Sequence, residues 1–335
     1  MMRAVFGDDQ LATRVGTLLG SRHEVIAAAT VTSTTATVAS RGDGLGADFE
    51  IGSISKGITG LLYADALERG EVRRDSTLGE WLPLGSAPVA AVTLDSLSTH
   101  RSGLPSLPRS AHPLRATIAF VRHGTNPYGE TLEQLLSQAR GVSVGTPSPR
   151  YSNFGFELLG HAIAGATGMK FAELVQARLA GPLELEGLYL PTSVEKLRRG
   201  SLIGRSRRGK PRAPWTGEAV GPAGGIRASI LDMAQLAVAL INGSAPGIAA
   251  LDPVSRFGRG LHIGAGWVTT EVDGRAIAWH NGGTGGFRSW LGLDRAAGTG
   301  AIILSATAAS VDRHGFALLA EHTKSVSLPH APGQE

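Results

Sequence analysis

Phe49-Glu50-Ile51-Gly52-Ser53-Ile54-Ser55-Lys56-Gly57-Ile58 changes its period partway along. Phe49 to Gly52 reads as a short strand. Ile58, Leu61, Leu62, Ala64 and Ala66 then fall on a helix that runs to about Arg69 and stops at Gly70. Upstream, Val25–Thr30 and Thr35–Ala39 read as two strands joined by a Ser/Thr-rich turn, after a helix over about 9–20 carried by Leu11, Val15, Leu18 and Leu19. Gly42-x-Gly44-x-Gly46 reads as a hairpin turn and not a dinucleotide fingerprint, because no helix follows it. Downstream the pattern predicts helices over 93–99, 113–122, 131–139, 154–166, 170–179 and 229–242. Strands return at His262–Thr270, Ala276–His280, Ser289–Leu293 and Gly300–Ser305, before a last helix over 312–323. Strands at both ends with helices between predict an α/β (α+β) chain, an antiparallel sheet flanked by helices. The expected division is a sheet domain from 1–70 and 225–325, an inserted mainly helical domain over 71–224, and a frayed tail over 326–335.

The 335 residues are enough for a large core, and 42% hydrophobic with 18% charged is a globular composition. There is no cysteine, which excludes disulfides, thiolate metal sites and a cysteine nucleophile. No His/Asp/Glu cluster has metal-ligand spacing, and no cofactor is expected. The net charge of +4 comes from one segment: Lys196 to Arg212 holds eight basic residues and no acidic one, so the remainder is net −4. That is not a nucleic-acid binder's distribution, and the segment reads as a solvated loop or edge strand. No apolar run approaches the ~20 residues of a membrane span. Met1 to Asp9 shows no apolar export signal, so a cytoplasmic location is expected unless a leader has been trimmed.

Three local patterns carry chemistry. Ser53-x-x-Lys56 puts a hydroxyl and an amine on one face of a first helical turn. A serine hydroxyl needs a base, and a lysine serves only if its surroundings lower its pKa. The competing reading is a serine cap with an exposed lysine; Ser55, one residue from Lys56, does not share its face. Tyr151-Ser152-Asn153 precedes a helix, where a phenol and a carboxamide two residues apart can both face a cleft; alternatively Asn153 is simply the helix cap. His280-Asn281-Gly282-Gly283 ends a strand in glycines, which permit close backbone approach and an oxyanion-binding N–H. No G-K-[ST] follows, so this is not a phosphate loop.

Ser-x-x-Lys, Tyr-x-Asn and His-x-Gly in this order, about 100 and 130 residues apart, resemble the motif set of the serine β-lactamase and penicillin-binding-protein superfamily. The chain most resembles the class C β-lactamase-like branch, which includes family VIII-type carboxylesterases, D-aminopeptidases, D-alanyl-D-alanine carboxypeptidases and some acyltransferases. Leu97-Ser98-Thr99-His100-Arg101-Ser102-Gly103-Leu104-Pro105 and Pro222-Ala223-Gly224-Gly225-Ile226-Arg227 are similar to two further segments of that branch. The resemblance spans about residues 10 to 322. It implies Ser53 as acylated nucleophile, Lys56 as base and Tyr151 as proton shuttle. It also implies Asn153 as a substrate contact, His280 in the place of the K-T-G lysine, and an oxyanion hole from the N–H groups of Ser53 and Gly283, with Gly282 beside it. Arg101 stands where the branch usually has threonine.

A neutral imidazole anchors a carboxylate more weakly than an ammonium. The resemblance with His280 therefore implies an esterase-like serine hydrolase acting on a small ester or amide through an acyl-enzyme. The alternatives are an acyltransferase or D-amino-acid peptidase of a biosynthetic pathway, a true β-lactamase, or a non-catalytic ligand-sensing domain. A sensor is expected to have lost Ser53, Lys56 or Tyr151, and all three are present.

Overall fold

Residues 4–107, 126 and 130–327 are described by a computed structural model. In chain order they form β1 (Val5–Gly7), α1 (Asp9–Leu19), β2 (Ile26–Thr32), β3 (Ala36–Arg41), β4 (Phe49–Glu50) and α2 (Ile54–Glu68). Helices α3 (Leu78–Trp81), α4 (Leu94–Ser98), α5 (Leu132–Arg140), α6 (Asn153–Thr167), α7 (Phe171–Val175) and α8 (Gly221–Gly224) follow. Then come β5 (Arg227–Ala228), α9 (Ile230–Asn242), β6 (Ser255–Gly258), β7 (Leu261–Ile263), β8 (Val268–Val272), β9 (Arg275–Gly283), β10 (Arg288–Asp294), β11 (Thr299–Ser305) and α10 (Asp312–Ser327). The expected helix 113–122 lies outside the described residues, as does the tail beyond Ser327.

Nine strands make one antiparallel sheet in the order β1-β3-β2-β11-β10-β9-β8-β7-β6. The chain's second and last strands pair inside this sheet, where Ala28 of β2 faces Ile303 of β11. Side chains alternate between the faces. Ile26, Ala28, Ala301 and Ile303 pack with Leu11 and Val15 of α1 and Leu318 of α10. Ala27, Ala29, Val31, Ile302 and Leu304 join the larger core on the other side, with α2 and α9. Burial on both faces is why these strands read as continuous apolar runs and not as alternating ones.

Two expectations change. His262–Thr270 is not one strand: Gly264 and Gly266 turn the chain between β7 and β8, and Gly266 takes φ +74. The Gly42–Gly46 turn does not close a hairpin. The short strand Phe49–Glu50 leaves the main sheet and pairs with β5 through Phe49↔Ala228 and Glu50↔Arg227. Backbone pairing there brings the start of α2 beside the segment that returns from the helices.

α2 is buried along nearly its whole circumference, including Ile54, Ser55, Lys56, Ile58, Leu61 and Leu62. A helix apolar on all sides belongs in a core. It lies against α6, which is equally buried, and against α8.

Candidate active site

Ser53 precedes the first turn of α2 and makes no side-chain cap to it. Its Oγ instead accepts from Lys56 Nζ at 3.1 Å. The Lys56 side chain is 0% exposed, and its amine also donates to the carbonyl of Ala223 at 2.5 Å. Burial pushes the lysine pKa down to about 7, against an opposing pull from Glu157. An exposed lysine beside a capping serine is therefore not what the chain builds. Ser55 is equally buried but accepts from the backbone N–H of Ile226 at 3.3 Å, on another side of α2.

Tyr151 reaches the same amine from the other side of the cleft, with Lys56 Nζ 5.0 Å from its ring centroid. Ser152, not Asn153, caps α6: its Oγ accepts from Gly155 N–H at 2.9 Å and donates to Pro105 O at 2.6 Å. Asn153, the first residue of α6, is half-buried and is not its cap.

His280 lies on β9, buried, facing the α2 side of the sheet with Gly282. Its Nδ1 is 2.6 Å from the carbonyl of Asn281, which can only accept, so Nδ1 carries the proton. Burial and the nearby Lys56 push its pKa down to about 4, so it is neutral at pH 7. β8 pairs with β9 only from Val272↔Arg275 to Val268↔Trp279, so His280–Gly283 run on past it. The glycines there are required by contact. A Cβ on Gly282 would lie 1.9 Å from the Ile51 carbonyl, and one on Gly52 would lie 2.6 Å from the N of Gly283. The end of β9 thus rests directly on the backbone that leads into Ser53.

Three groups at this site carried no assigned role in the sequence reading. Glu157 on α6 is buried, and its pKa is pushed up to about 8 by burial, opposed by Lys56. Its signal was a lone acid in the apolar run Phe154 to Leu159. The Ala223 carbonyl gave no signal, being backbone. His100, quoted only within a resembling segment, takes φ +56 and packs its ring against Tyr151 at 4.5 Å between centroids, the planes tilted by 37°. Arg101 points away and donates to the carbonyl of Arg256 at 2.9 Å.

Other candidates have structural partners. His161 contacts the carbonyl of Glu218 at 3.2 Å within the helical core. In the basic segment Lys196, Arg198, Arg199, Arg207, Arg208 and Lys210 are exposed, while Arg205 and Arg212 are half-buried. Trp267 and Trp290 are core residues. Among the described residues no group of three His, Cys, Asp or Glu could hold a metal ion, and no helix is long and apolar enough to cross a membrane.

The chain is 27% identical over 192 residues to a beta-lactamase of Escherichia coli K12, covering 56% of this chain and 46% of that protein. It is 27% identical over 153 residues to the D-alanyl-D-alanine-carboxypeptidase/endopeptidase AmpH of the same organism, 44% of this chain and 38% of that one. Against Penicillin-binding protein 4 of Amycolatopsis lactamdurans it is 25% identical over 287 residues, 77% of this chain and 71% of the relative. The match to AmpH thus spans well under half of that relative's length. The crystal structure of D-alanine carboxypeptidase AmpC from Burkholderia cenocepacia superposes with a TM-score of 0.74 at 20% identity, covering 95% of this chain and 98% of the other, and so shares the fold. The family model described as Beta-lactamase matches residues 20–323, and the chain belongs to that family.

Proposed function

We propose that this chain is a serine hydrolase that works through an acyl-enzyme on Ser53. The observation that carries the reading is the Lys56 amine, wholly buried, 3.1 Å from the Ser53 hydroxyl and with a pKa pushed down to about 7. Neutral Lys56 takes the hydroxyl proton as Ser53 attacks a carbonyl. Tyr151, whose ring faces the same amine, passes the proton to the leaving group. N–H groups at Ser53 and Gly283 hold the oxyanion, and Asn153, His280 and Gly282 line the acyl side. The cleft lies between the sheet domain (1–70 and 225–325) and the helical insertion (71–224). Water then releases the acyl group.

The substrate class proposed is a small ester or amide, with esters preferred. His280 is neutral at pH 7 and offers no cation to a substrate carboxylate. One observation favours the peptidase alternative: Arg288, half-buried at the start of β10, donates to the carbonyls of Thr284 and Phe287, and among the described residues no carboxylate is hydrogen-bonded to it. The experiment is intact-mass detection of acyl adducts across aryl esters, cephalosporins and D-amino-acid amides. Adduct on the parent and on Ser55→Ala but none on Ser53→Ala is expected, with esters turned over fastest. An adduct mapped to Ser55 overturns the nucleophile, and faster cephalosporin turnover overturns the ester preference.

A further inference from the structure

We propose that His100 is a positioning residue of this site, holding the Tyr151 ring against the Lys56 amine by binding the backbone on both sides of Tyr151 and packing its own ring, tilted, against it. The inference rests on the acyl-enzyme reading above and adds a residue to it. Arg150 N–H donates to the His100 carbonyl at 2.9 Å, and Ser152 N–H donates to its Nδ1 at 3.2 Å. The two donors straddle Tyr151. The imidazole itself lies 4.5 Å from the tyrosine ring and 4.6 Å from Phe156, centroid to centroid, with Phe257 at 5.7 Å. One residue thus fixes the height, the direction and the tilt of the phenol.

The choice of histidine is not explained by packing. A phenylalanine would fill the same space but has no acceptor for Ser152 N–H. The position also takes φ +56, which an aromatic residue adopts at a cost and asparagine adopts more readily. Because Nδ1 accepts a backbone N–H, the proton sits on Nε2, and among the described residues nothing accepts it although the atom is buried. A core side chain chosen for packing alone would not carry an unpaired donor. Burial, with Lys56 and His280 nearby, holds the imidazole well below its usual titration range. It therefore adds no positive charge beside the lysine at pH 7.

The test is a double-mutant cycle on acylation, followed by intact mass with an aryl ester. The amplitude counts competent protein and the rate constant reports each competent site, so misfolding and mispositioning separate. His100→Asn suits the backbone conformation and keeps an acceptor but removes the ring. It is expected to slow acylation roughly 10- to 100-fold at unchanged amplitude, the scale of a misplaced catalytic group. Tyr151→Phe keeps the ring that His100 packs against and loses the hydroxyl. In that background His100→Asn is expected to cost no more than about twofold further, because the group it positions is gone. An unchanged rate constant in His100→Asn overturns the proposal, and so do costs that multiply in the double variant. Adduct formation on Ser53→Ala is a different failure, that of the acyl-enzyme reading itself.

Discussion

Lys56 is the residue on which the proposed chemistry turns, and its charge is set by two opposing surroundings. Burial favours the neutral amine, and Glu157 favours the ammonium. The shift from 10.5 to about 7 is on the order of 5 kcal/mol against the charged form. A base works only when unprotonated, so kcat/KM for an aryl ester is expected to rise with pH through a midpoint near 7. His280, pushed down to about 4, stays neutral across that range, so the limb should persist in His280→Gln. Glu157, its carboxyl pushed up to about 8, is largely protonated at that midpoint, so Glu157→Gln should move it only slightly, and to lower pH. Rate profiles from pH 5 to 9 check this; a limb that disappears in His280→Gln would assign it to the histidine. Lys56→Arg should be inactive, since a guanidinium does not deprotonate in a protein. The i, i+3 spacing that joins Ser53 and Lys56 was legible in the sequence because it is local. The burial that makes the lysine a base was not, because it depends on distant segments such as that of Ala223, more than a hundred residues away.

At the scale of elements, three of the candidate site residues stand at or near an element's end. Ser53 opens α2, Tyr151 precedes α6, and His280 begins the last turn-ward stretch of β9. The helix starts were readable from composition, yet the cap of α6 is Ser152, one residue before the candidate. Serine and asparagine are both good caps, and local sequence does not choose between neighbours. The choice is made by Pro105, whose carbonyl accepts a hydrogen bond from the Ser152 hydroxyl. Ser152→Ala loses both bonds and is expected to destabilise the protein by about 1–2 kcal/mol, read as a lower denaturation midpoint at unchanged m-value. No change in midpoint would show that α6 does not depend on this cap. The split of His262–Thr270 into β7 and β8 has a similar origin. Two glycines in an otherwise strand-like run look like a weak strand until a partner is known.

At the scale of the whole molecule, one buried ion network ties the two short strands to the segment carrying the basic cluster. Arg227, 0% exposed, pairs with Asp48 at 2.7 Å and Glu50 at 3.0 Å and donates to the carbonyl of Leu202 at 3.0 Å. Asp48 also receives Tyr189, Ser201 and the Leu202 N–H. Removing one partner of such a set strands the others, and Arg227→Met is expected to cost about 3–5 kcal/mol. Amide exchange should rise first over 198–205, where the network's backbone partners lie; a variant as stable as the parent would mean that Asp48 and Glu50 are satisfied without the arginine. The sequence by itself determined the strand–helix order and the antiparallel α+β class, which follow from period, turn residues and spacing, properties of neighbours along the chain. Its resemblance to a known motif set singled out the candidate serine, lysine, tyrosine and histidine. Only the tertiary structure decided which strands pair in the sheet, that Phe49–Glu50 leave the main sheet, and that Lys56 is buried. It also decided that His100 lies against Tyr151. These depend on groups distant in sequence excluding water from one another, and no local pattern records which distant group will arrive.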